Sequence, residues 1–89
     1  MATVANKFRA VADEMGDWGG LEQEAAECWN DHVAPALLAL YDRTEADGGD
    51  ADGIAGSVQS LAWDAFCDTT DDESWDELGI RVSTFVLNQ

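Results

Sequence analysis

Eighty-nine residues with 46% apolar side chains, four Trp and three Phe suffice for one hydrophobic core, which excludes a disordered acidic tail. Nineteen acidic residues against four Lys and Arg leave a formal net charge of −15, which excludes direct nucleic-acid binding and repels an anionic membrane surface. The chain therefore reads as a single acidic helical domain over residues 1–89, an all-α compact bundle of four to five short helices.

The first helix is expected from a Thr3 cap to about Met15, with Val4, Phe8, Val11 and Met15 spaced as one apolar stripe. Gly16 ends it, and GDWGG is a connector in which the Trp18 ring lids the core. A longer helical period starts at Leu21 and recurs through Ala25, Cys28, Trp29, His32, Val33, Ala36, Leu37 and Leu40. Pro35 lacks an N–H and its ring clashes with the carbonyl of Asp31, so a kink or break is expected near residues 33–35. Residues 47–53, DGGDADG, read as a loop.

The next helix is expected from about Ile54 to Phe66, with Ile54, Val58, Leu61, Ala62, Ala65 and Phe66 facing the core. A last helix begins at Thr69, Thr70 or Asp71 and buries Trp75, Leu78, Val82, Phe85 and Val86. Residues 80–86, IRVSTFV, are β-branched enough to form a strand instead. Helix is preferred, because the chain holds no second strand to pair with.

No apolar run near the N-terminus is long enough for a signal peptide or a membrane span, so a cytoplasmic protein is expected. Cys28 and Cys67 are accordingly expected as free thiols. A calcium loop over GGDADGIAGSVQ would place Asp50, Asp52 and Gly53 correctly, but Gly48 and Gln59 stand where the two end ligands belong. A zinc set of Cys28, His32, Asp64 and Cys67 competes with the simpler reading of core residues. Neither metal nor cofactor is expected. With one His, one Lys and no phosphate-binding glycine loop, the chain offers no nucleophile–base pair, so no enzyme is expected.

What remains is the charge and its placement. Residues 1–41 hold seven acids and two bases, residues 42–77 hold twelve acids and one base, and residues 78–89 add only Arg81. The segment CDTTDDESWDEL, residues 67–78, carries six carboxylates and no base. If it is helical throughout, Asp68, Asp72 and Asp76 form a ladder with steps of ~6 Å, flanked by Asp71, Glu73 and Glu77. That density approaches the phosphate spacing of ~3.4 Å on one DNA strand. Asp47, Asp50 and Asp52 are expected to extend the same field; Trp75 within the ladder is expected to point to the core, and an exposure at the edge would make it a binding anchor.

A short, strongly acidic domain without catalytic motifs resembles the phage-encoded inhibitors of bacterial defence, including anti-CRISPR proteins and other DNA mimics. The resemblance covers size, charge and the lack of reaction chemistry, and no shared motif. It implies a stoichiometric inhibitor in the host bacterial cytoplasm, monomeric or homodimeric, seated on a basic nucleic-acid-binding surface such as that of a CRISPR effector. The alternative is a halophilic or accessory protein-interaction domain, since one Lys and twelve Asp also suit a salt-saturated cytoplasm.

Overall fold

A computed structural model describes residues 8–16, 18–70 and 72–89. The fold is all-α, and no strand occurs among the described residues. Helix α1 (Glu22–Cys28) passes through a π turn (Trp29–Val33) into α2 (Ala34–Ala46), followed by α3 (Ala51–Cys67) and α4 (Trp75–Leu87). Because α1, the π turn and α2 form one unbroken helical path, the described chain builds three helical rods, not four or five separate helices.

The π turn is how the chain accommodates Pro35. The N–H of Ala34 bonds to the Trp29 carbonyl, five residues back, which widens the helix immediately before the proline. Pro35 then lies in the first turn of α2, where a missing N–H costs least. The expected break is thus a local change of winding.

Residues 8–16 do not form the predicted first helix. Val11 is extended (φ −118°, ψ 154°), and Ala12–Glu14 makes a single 3₁₀ turn. The part of that helix predicted over residues 3–7 lies outside the described residues. Side chains of the π turn take over the hydrogen bonds that a helix would have supplied here. Trp29 Nε1 donates to the Phe8 carbonyl at 2.6 Å. Asn30 brackets Ala10, accepting its N–H at 2.7 Å and donating to its carbonyl at 2.8 Å. The segment becomes a strap that buries Phe8 and Met15 while Val11 stays 54% exposed.

The core is centred on Trp29, Val33, Leu37, Leu40, Phe66, Leu78, Val82 and Val86, all nearly inaccessible. Trp29 meets Phe66 edge-on at 5.4 Å and Trp63 at 5.5 Å, and Trp18 closes the same cluster against Phe66 at 5.3 Å. Trp18 is half-buried, as a core lid should be. On α3 the interior positions go to Ala51, Ala55, Val58, Ala62 and Phe66, whereas Ile54 and Leu61 are 41% and 50% exposed. Three alanines on that face let the neighbouring rods approach closely, and this pushes Ile54 and Leu61 to the flank. Residues 80–86 lie inside α4, with Val82 and Val86 buried, so the strand alternative is gone. At the crossing of α4 and the π turn, Gly79 lies against His32 so closely that a Cβ there would overlap the imidazole.

Candidate protein-binding surface

The acidic segment does not form one helix. Asp68 is the C-cap of α3, and α4 starts only at Trp75. Ser74 is the cap that sets this start, its Oγ accepting the Glu77 N–H at 3.1 Å. Between them, Thr69 Oγ1 donates to Glu73 Oε1 at 3.0 Å and the Glu73 N–H bonds to the Thr70 carbonyl at 3.1 Å, fixing a turn. The expected ladder of Asp68, Asp72 and Asp76 is therefore not built: one residue ends a helix, one sits in a turn, and one lies in the first turn of the next helix. Asp71 lies outside the described residues.

The turn gathers carboxylates in another way. Asp68, Thr70, Asp72, Glu73, Glu77 and Arg81 line an open basin of about 430 Å³. Arg81 holds Glu73 through two hydrogen bonds, Nε at 2.7 Å and Nη2 at 2.9 Å. These bonds from Arg81 pull the Glu73 carboxyl below its ordinary range; burial opposes them and the Thr69 hydroxyl adds to them. The same pairing raises the Arg81 pKa. Asp76 and Glu77 suit the positive end of α4, but Asp68 sits at the negative end of α3, whose last turn carries no base. A carboxylate there opposes the helix dipole at ~0.3–1 kcal/mol, while the nearby Arg81 charge attracts it.

The second group of predicted residues lies elsewhere. Asp50 is the N-cap of α3, its Oδ1 accepting the Gly53 N–H at 3.2 Å. Asp47 and Asp52 are exposed on either side of it. From Asp50 to Asp68 the axis of α3 spans ~27 Å at 1.5 Å per residue. Physiological salt screens charges over ~8 Å, so the two acidic groups act as separate patches. The same start of α3 at Ala51 removes the calcium loop, because nine of its twelve positions, 51–59, are helical.

Trp75 is half-buried, and its ring faces Trp18 at 6.1 Å. The two indoles belong to a cleft of about 480 Å³, lined by Trp18, Leu21, Thr69, Thr70, Glu73, Ser74, Trp75 and Leu78. Leu21, expected to begin the core stripe, instead stands at the N-cap of α1 with 48% of its surface exposed. The cleft shares Thr70 and Glu73 with the acidic basin, so an apolar slot opens directly onto the carboxylates. Sequence reasoning places Trp18 as a core lid in preference to a binding anchor, and misses Leu21 as a site residue. The one signal was an aromatic flanked by glycine and followed by an unpaired Leu ahead of the helix.

Cys28 is buried and donates its Sγ–H to the Trp75 carbonyl at 3.2 Å. Burial, then the Asp31 and Asp76 carboxylates, push its pKa to about 11, so it stays a neutral thiol. His32 Nε2 lies 3.9 Å from Asp76 Oδ1, beyond hydrogen-bond range. Cys67 is exposed and separate from both. Among the described residues no three His, Cys, Asp or Glu side chains converge as metal ligands. No described helix is long and apolar enough to cross a membrane. Comparison of the chain with protein families, with curated proteins and with solved structures gave no match.

Proposed function

We propose that this protein is a stoichiometric inhibitor that docks its acidic corner on a basic, nucleic-acid-binding surface of a bacterial defence complex. The observation that carries the reading is the basin at the α3–α4 turn. Once Arg81 and Glu73 neutralise one another, Asp68, Asp72 and Glu77 still face solvent together, and Asp76 adds its charge at the start of α4. Carboxylates held on a braced turn steer a Lys- and Arg-lined groove at long range and occupy phosphate positions at contact. Arg43 is committed elsewhere, donating to the Leu87 and Gln89 carbonyls at the end of α4.

The test is competition. Purified CRISPR effector complexes would be titrated with the protein and with duplex DNA, and the reading expects mutually exclusive binding. Reversing charge at Asp68, Asp72 and Asp76 together should abolish inhibition with the helical signal intact. Inhibition that survives the triple reversal removes the acidic corner as the contact.

A second reading, salt adaptation, draws on the exposed acids found away from that corner as well, at Glu24, Glu27, Asp42 and Glu45. It expects unfolding at low ionic strength and refolding in molar salt, followed by circular dichroism. Folding that is independent of salt rejects it.

A further inference from the structure

The Trp18–Trp75 cleft joins the acidic basin along a shared edge, and the two together define a partner more narrowly than charge alone. Leu78, 1% exposed, closes the floor, the two indoles form the walls, and the exposed Leu21 forms the lip. Thr69, Thr70 and Ser74 add hydroxyls to the lining. A volume of about 480 Å³ falls in the range that holds a ligand group or a few protein side chains. Half-buried tryptophans beside an apolar lip keep greasy surface in water, which a partner's side chain would remove. The surroundings decide the chemistry of that partner. Arg81 carries one positive charge against the four carboxylates of Asp68, Asp72, Glu73 and Glu77 in the adjoining basin, so an anionic lipid or a nucleic acid is repelled and a cationic neighbour is attracted.

We infer that the cleft receives an apolar side chain of a protein segment while Lys or Arg residues flanking that side chain enter the basin of Asp68, Asp72 and Glu77. This rests on the reading that the acidic corner docks a basic protein, and it adds the apolar anchor that fixes register. A uniformly charged face would slide along any basic groove. A cleft lined by two indoles in contact with each other, ring centroids 6.1 Å apart, and placed at the edge of the charge gives the partner one anchored position.

Three synthetic peptides test it, each titrated into isotopically labelled protein and followed by NMR: Ac-Lys-Arg-Leu-Leu-Arg-Lys-NH2, the same peptide with both Leu replaced by Ser, and the same with all four cations replaced by Gln. The Leu-containing cationic peptide should bind about tenfold tighter than either control, about 1.4 kcal/mol in each case. Its shifts should concentrate on the Trp18 and Trp75 indole N–H groups, Leu21, Leu78 and the amides of residues 73–77. Leu21→Asp should abolish the gap between the Leu and Ser peptides without unfolding the protein, because Leu21 is exposed and Asp is a good N-cap.

Equal affinity of the Leu and Ser cationic peptides overturns the anchor and leaves the electrostatic inhibitor reading standing. Equal affinity of the cationic and Gln peptides overturns the charge requirement. Shifts centred on Ile54 and Leu61, or no binding at millimolar peptide, overturn the assignment of the cleft. Selective binding of the Leu cationic peptide together with unimpaired DNA binding by defence complexes keeps this inference and rejects the inhibitor reading.

Discussion

Gly79→Ala measures the contact that sets the angle of α4, and with it the position of Asp76 and Glu77. In an open helix interior the change would stabilise by ~1 kcal/mol, since Ala is the better helix former. Here the new methyl would overlap the His32 ring and come within 2.8 Å of His32 Cβ. Turning the imidazole away relieves the first overlap but not the second, because Cβ moves only with the backbone of the π turn. Overpacking of this kind costs ~1–3 kcal/mol, so the net outcome is destabilisation of about 1 kcal/mol. For a chain of this size that lowers Tm by ~4–8 °C. In a His32→Gly background the imidazole and its Cβ are both gone, and the same substitution should be neutral to stabilising. The two mutations should therefore couple by ~1–2 kcal/mol in a double-mutant cycle of urea denaturation. Stabilisation by Gly79→Ala in the otherwise native protein, or additivity of the two changes, would refute the close approach of α4 to the π turn.

Glu73→Gln should cost less than about 1 kcal/mol at pH 7, the range of an exposed ion pair. Because the Glu73 pKa is lowered on folding, its stabilisation is present above the unfolded value of ~4.3 and is lost as pH falls through the folded value. Urea midpoints of the two proteins should therefore differ at pH 7 and converge as pH falls through the folded value; a gap that stays the same size throughout an acid titration rejects the ionic origin. Iodoacetamide at pH 8 should modify exposed Cys67 in the native protein and leave Cys28 untouched until urea unfolds it. Raising Cys28 from 9.0 to about 11 cuts its thiolate fraction by ~100-fold even before burial limits access. Mass mapping that finds both thiols labelled at one rate would contradict the buried, neutral Cys28.

The helical class was legible because apolar positions recur with a helical period from Ala25 to Leu40 and from Leu78 to Val86. The candidate site was legible only as composition. Residues 67–78 announced a concentration of carboxylates, but the choice of Ser74 over Thr69 or Thr70 as the cap of α4 decided their geometry. Three hydroxyl residues in one stretch are near-equal caps by local preference. Bonds from Thr69 and Arg81 to Glu73, the latter arriving from the second turn of α4, favour the turn over a continued helix.

Sequence by itself determined the net charge, its weight in the second half of the chain, the existence of α3 and α4, and the disturbance of the helix at Pro35. These are local or additive properties, read from composition and from spacing along the chain. Tertiary structure alone decided that residues 8–16 form a strap, because the hydrogen bonds that replace its helix come from Trp29 and Asn30, twenty residues or more away. It also decided that Ile54 and Leu61 face outward, since only the close approach of neighbouring rods gives the interior of α3 to alanine. The pairing of Trp18 with Trp75 has the same origin: two indoles 57 residues apart meet only when α1 and α4 pack, and that contact puts an apolar cleft beside the acids.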